Sequence, residues 1–256
     1  MNSTEQNNED IKAICQFLID NYETLEEDSG GMLRLDLPSF DLYSWDYLRF
    51  AEESIEKHDD GNLVEKLNCV SHLKRALDCA VAIFLDGLNL RQVFDKRNLK
   101  IEKRLEFLRE IGVFTARSLS RLNSIRNRME HDFEVPKIKE LDAYFDIVST
   151  SIALLDATLA NIAANAEKSY VVPNVSDNDK WEYSVEYEYC IEAPSIRFSI
   201  EKWIRKNEIA QQEYEFTLAD PKSFTKALKL LLILSRKDWM LGKNFTLKQI
   251  QEMAAA

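Results

Sequence analysis

"EKSYVVPNVSDNDKWEYSVEYEYC", residues 167–190, is where the hydrophobic period of this chain changes. Glu167 to Lys180 is polar and turn-rich and predicts a linker. From there the pattern alternates: Tyr183, Val185, Tyr187, Tyr189 and Ile191 interleave with Glu182, Ser184, Glu186, Glu188 and Cys190, the period-two mark of a half-buried strand. Glutamates beside the aromatic face repel phosphate, so that face is assigned to core packing rather than to stacking nucleobases. "SIRFSIEKWI" (195–204) and "QEYEFTL" (212–218) supply two further strands. Asp220 and Pro221 then form a helix start, N-cap followed by first-turn proline, leading into the strongly apolar Leu228 to Leu234. A small β-meander backed by a helix is expected.

Upstream of residue 167 the period is helical. Ile11, Ile14, Cys15, Leu18 and Ile19 lie on one face of a first helix, which "DSGG" (28–31) ends. Further helices are expected over Ser44–His58, Leu63–Asp86, Lys100–Gly112, the stretch up to His131, and Ile138–Ala166. In the second of these Leu67, Val70, Leu73, Leu77, Ala80, Val81 and Phe84 are expected to be buried. The fold class that follows is mainly α: an antiparallel helical bundle, then a small α+β C-terminal domain. The divisions are an N-terminal helical extension at 1–37, the bundle at 38–166, the linker at 167–180 and the meander-plus-helix domain at 181–256.

A chain of 256 residues with 45% hydrophobic and 30% charged residues is ordinary for a globular protein, and its net charge of -11 excludes indiscriminate coating of nucleic acid. Between Arg91 and Arg128, however, eleven Lys/Arg stand against four Asp/Glu, so this segment is +7 and the rest of the chain -18. Any polyanion is therefore bound locally. The four cysteines (15, 69, 79 and 190) are scattered without metal-ligand spacing and read as thiols in a reducing cytoplasm; no metal site or cofactor is implied. The N-terminus has no secretory pattern, and the longest strongly apolar run, "LLLIL" from Leu230, is too short to span a bilayer, so a cytoplasmic protein without membrane contact is expected.

The chemistry is sought in "SIRNRMEHDF", residues 124–133. On a helix, Leu122, Ile125 and Met129 fall in one narrow apolar sector, while Arg126, Asn127, Glu130 and His131 fan out opposite. Arginine beside histidine suits a phosphodiester: the guanidinium fork stabilises phosphate oxygens and the imidazole moves a proton near neutral pH. The same residues also suit an ordinary helix end, with Arg126 and Glu130 as an i,i+4 ion pair and His131 favoured by the dipole. His58 and His72 are lone histidines without ligand partners, and no serine-hydrolase elbow or zinc-protease pattern is present.

"IRNRMEH" resembles the signature of the HEPN domains, an arginine followed by asparagine with four to six residues before a histidine. "YLRFAEESIEK", "LNCVSHLKRALDCAVAIFL" and the long helix after the motif are similar in order and spacing to a HEPN bundle, over roughly residues 40 to 165. The resemblance implies a metal-independent endoribonuclease acting as a toxin or antiviral defence effector. Its composite site would form across a homodimer, and the cut would leave a 2′,3′-cyclic phosphate. Arg126 would hold the scissile phosphate, His131 would act as general acid or base and Asn127 would orient them, with Glu130 and, on an earlier helix, Asp78 or Arg75 in support. Arg117, Arg121 and Arg128 would contact flanking RNA phosphates. RNA and an antitoxin or other defence-system protein are the implied partners. The alternative within the family is a catalytically silent HEPN module that dimerises and senses or scaffolds a partner protein or nucleotide.

Overall fold

The alternation after Trp181 forms strands, and they join a larger sheet than the sequence led us to expect. The computed structural model describes residues 3–57, 62–115, 128, 138–174, 181–205, 208–237 and 242–255. Their elements are α1 (Ser3–Asn21), β1 (Glu26–Gly31), α2 (Ser44–Glu56), α3 (Leu63–Gly87), α4 (Arg91–Lys96), α5 (Ile101–Glu110), α6 (Ile138–Ala164), β2 (Glu167–Pro173), β3 (Trp181–Cys190), β4 (Ser195–Arg205), β5 (Glu208–Thr217), α7 (Pro221–Leu234) and α8 (Lys243–Ala255). All five strands pair antiparallel in the order β1-β2-β3-β4-β5.

This corrects the expectation of a mainly α protein with a small C-terminal domain. The chain divides into two units of nearly equal size: a sheet unit, Met1–Arg34 with Asn161–Ala256, and a helical unit, Leu35–Ala160. The stretch expected as linker begins with a strand, and the N-terminal extension belongs with the sheet. Tyr170, Val171 and Val172 of β2 are all buried, so the strand carries a continuous apolar run instead of an alternation, and Pro173 and its polar neighbours disguise it. "EEDSGG" of β1 has no apolar residue and is solvent-facing along most of its length. It is a strand because its backbone pairs with β2, across a bulge at Glu27/Ser29.

In the sheet unit the inner face carries an aromatic row from strand to strand. Tyr170–Tyr187, Tyr187–Phe198 and Phe198–Phe216 have ring centroids 6.5, 6.1 and 6.3 Å apart, and all four side chains are fully buried. Each buried ring contributes roughly 1.5–3 kcal/mol. Ile11, Ile14 and Leu18 of α1 and Leu228, Leu231 and Leu232 of α7 complete this core. Two buried lysines flank Tyr170. Lys168 reaches Glu27 at 2.6 Å, and Lys237 donates to the Leu25 carbonyl at 2.9 Å and lies 5.3 Å from the Tyr22 ring centre. Burial raises the Cys15 and Cys69 thiols to about 12, so both are inert hydrophobes.

The helical unit rests on the antiparallel packing of α2 on α3, through Leu48, Ala51, Leu73, Ala76, Leu77 and Ala80. Leu67, expected in the buried stripe of α3, is instead 52% exposed. α6 is long and apolar enough to cross a membrane by length and composition, with a mean hydropathy of 1.6 over its window. Leu141, Tyr144, Val148, Ile152, Leu155 and Leu159 on it are nevertheless buried at helical spacing, the pattern of a core helix.

Two measurements test this packing. A Cβ added at Gly87 would meet the Leu159 methyls at 2.9 and 3.0 Å. Gly87→Val should therefore lower stability by about 1–3 kcal/mol in urea unfolding, and an unchanged midpoint would contradict the α3–α6 contact. Asp220 caps α7, accepting from Ser223 N at 3.4 Å, Ser223 Oγ at 2.8 Å and Asn7 Nδ2 at 3.2 Å. Burial pushes its carboxyl pKa up, but these hydrogen bonds outweigh burial and leave it lowered. A depressed acid stabilises in full above its unfolded pKa and loses that contribution as pH falls through the folded value. Asp220→Ala should cost about 1 kcal/mol at pH 7, and the difference from the parent should vanish by about pH 2.

Candidate functional site

Three consecutive helices of the helical unit end in the same device. Asn89, Asn98 and Gly112 take left-handed φ values of 53°, 49° and 90° just past α3, α4 and α5. After α3 the Asn89 and Leu90 amides donate to Asp86 and Leu85; after α4 those of Asn98 and Leu99 donate to Asp95 and Phe94; after α5 those of Gly112 and Val113 donate to Arg109 and Leu108. Each pair is a Schellman closure, which satisfies the last carbonyls and turns the chain sharply. The stop at Gly112 was expected. The end of α3 near Asp86 was expected too, but not the left-handed caps at Asn89 and Asn98 or the short α4 between them, since asparagine marks such a cap more weakly than glycine.

These turns sort the cations of the basic segment. Arg91 pairs with Asp86 at 2.7 Å and with Asp95 at 3.6 Å, and Arg104 reaches Asp95 at 2.6 Å and donates to the Leu99 carbonyl at 3.0 Å. Lys103 sits 2.6 Å from Glu106, and Arg109 lies within 4 Å of Glu106 and Glu110. Four of the seven cations described between residues 91 and 115 are thus committed within the unit. Lys96, Arg97 and Lys100 remain: all three are exposed, without an ion pair among the described residues, and gathered on the tight α4–α5 turn. Anchored positive charge of this kind suits a polyanion's phosphates.

Arg117, Arg121, Arg126, Asn127, Glu130 and His131 lie outside the described residues, as does His58. Arg128 is helical and half-buried. Arg75 and Asp78 stand one turn apart on α3, Arg75 exposed and Asp78 half-buried. His72, one turn before Arg75, packs on Phe50 with ring centres 5.5 Å apart, and partial burial and then the Arg75 charge lower its pKa. It is held neutral as a packing residue. Among the described residues no group of three His, Cys, Asp or Glu side chains could hold a metal ion.

A further feature escaped the sequence reading. On the outer face of the sheet an open groove of ≈ 590 Å³ is lined by Glu186, Glu188, Arg197, Glu213 and Glu215. The alternating glutamates of β3 and β5 were its signal in the sequence, but only the strand register brings them side by side.

If the α4–α5 turn contacts RNA, replacing Lys96, Arg97 and Lys100 together by alanine should weaken binding to single-stranded RNA. The slope of log K against log salt should fall by about 2. Arg104→Ala should lower the melting temperature and leave the slope alone. An unchanged slope in the triple variant would remove the turn from any RNA surface. No protein family, curated protein or solved structure matches this chain.

Proposed function

We propose that the chain is a metal-independent endoribonuclease of HEPN type, a cytoplasmic toxin or antiviral defence effector whose composite site forms across a homodimer. The observation that carries this reading is the sequence Arg126-Asn127-Arg128-Met129-Glu130-His131, with arginine and histidine at the spacing of the HEPN signature. Two findings support it. The Leu35–Ala160 unit, which holds this stretch, is helical throughout its described elements, and it displays Lys96, Arg97 and Lys100 as uncommitted cations a short way upstream.

In the proposed reaction the RNA's own 2′-oxygen attacks the adjacent phosphorus. The P–O2′ bond forms and the P–O5′ bond breaks, the 2′-hydroxyl loses its proton and the departing 5′-oxygen gains one. The products are a 2′,3′-cyclic phosphate and a 5′-hydroxyl. Arg126 neutralises the charge that builds on the non-bridging oxygens, His131 handles the proton and Asn127 orients the pair. Arg75 and Asp78 of α3 are kept as supporting residues, and Arg117, Arg121 and Arg128 as contacts to flanking phosphates.

The test is cleavage of total and transfer RNA by the purified protein in excess EDTA. Discrete fragments with 2′,3′-cyclic ends are expected. Arg126→Ala should slow their appearance by about 10²–10³-fold and His131→Ala by about 10²–10⁴-fold. A folded dimer that cuts no RNA would replace this reading by the silent binding module. A strict monomer that cuts at full rate would remove the composite site.

A further inference from the structure

The outer face of the sheet carries almost a single sign of charge. Across one row Glu167 of β2 stands opposite Glu188 of β3, Glu188 opposite Arg197 of β4, and Arg197 opposite Glu215 of β5. The next row places Glu186 and Glu213 on either side of Ser199, and the third sets Glu201 beside Gln211. Arg197 is the one cation in these rows, and it is already spoken for, 3.0 Å from Glu215 and 3.7 Å from Glu188. Glu167, Glu186, Glu201 and Glu213 have no ion pair among the described residues. Glu167 directly opposite Glu188 is a destabilising cross-strand pair. Yet the chain as a whole carries 33 Lys/Arg against 44 Asp/Glu, enough cations to balance such a face.

Two further observations fall on the same surface. Beyond the third row Trp203 and Ile209 face each other across β4 and β5, 45% and 46% exposed, so large apolar side chains border the acidic rows. β5 is also an edge strand, and among the described residues its backbone pairs only with β4. From Ile209 to Thr217 it has neither proline nor lysine, and its register with β4 is unbroken, so of the devices that close an edge only its glutamates are present, and these turn away an acidic partner but not a basic one.

We propose that this face and edge receive a basic polypeptide segment in extended conformation. The segment adds beside β5 as a sixth strand, with Lys or Arg side chains over Glu213 and Glu215, the outward carboxylates of β5, and an apolar side chain against Ile209 and its cross-strand neighbour Trp203. Strand addition supplies affinity through main-chain hydrogen bonds, and the alternating side chains supply specificity. The charge selects the occupant. Nucleic acid is repelled, and a second copy paired β5 to β5 would bring Glu213 and Glu215 against the same residues of its partner. The inference does not depend on the ribonuclease reading, since every residue it uses lies in the sheet unit.

The test uses the full chain and a fluorescein-labelled peptide as long as β5, alternating Lys and Val around one Leu, followed by anisotropy. Saturable binding that weakens with salt is expected. Methylating alternate backbone amides of the peptide should weaken it by at least about tenfold, as should Glu213→Gln with Glu215→Gln, or Trp203→Ser, in the protein. Circular dichroism and the melting temperature establish that each variant is folded. The proposal is overturned by an absence of saturable binding, by equal binding of a peptide with Glu in place of Lys, or by indifference to amide methylation. It is also overturned if Trp203→Ser dissociates a dimer of the parent protein, which would assign the face to a second copy.

Discussion

The pairing of β1 with β2 is the constraint on which the rest of the structure depends. It joins segments that the whole helical unit separates: Lys168 meets Glu27 across 141 positions. Closing so long an interval costs little more than closing a short one, because the entropy of closure grows only with the logarithm of length. The pairing is held on both sides. Lys237 donates to the Leu25 carbonyl just before β1, and the Leu33 amide donates to the Ala163 carbonyl just after it. The chain therefore leaves the sheet unit and returns to it at neighbouring points, and the helical unit is an insertion into a fold that its own flanks complete.

Charge follows the same division. Of the seven cations described from Arg91 to Arg109, four are paired with carboxylates of the helical unit, and Lys96, Arg97 and Lys100 on the α4–α5 turn face outward without an ion pair among the described residues. In the sheet unit the carboxylates gather on one face and almost no cation accompanies them. A net charge of -11 averages over these two regions and describes neither. Such a division of charge suits a polyanion at the α4–α5 turn and disfavours one at the outer face of the sheet.

The buried lysines show how close to a limit the sheet core is built. Lys168 is held by a carboxylate and Lys237 by a backbone carbonyl, both against aromatic rings. A buried ammonium without such partners would cost several kcal/mol. Lys168 fastens β2 to β1, and Lys237 fastens the turn after α7 to the residue just before β1.

Local periodicity by itself determined α1, α2, α3, α5, α6 and α7, the β3–β4–β5 meander and the cap of α7, but not α4 or α8, because each element so determined is written in side chains a few positions apart: Tyr187 and Tyr189 alternate with glutamates, and Asp220 precedes Pro221. The arginine, asparagine and histidine of the 126–131 stretch were legible as a short pattern of residue types in the sequence, and they lie outside the described residues. Only the tertiary structure decided that Glu26–Gly31 is a strand, that Tyr170 belongs to an aromatic row rather than a linker, and that Glu186 and Glu213 share a surface. β1 has no apolar residue to announce it, and cross-strand neighbours are set by register, which pairs residues through backbone hydrogen bonds between segments far apart in the chain.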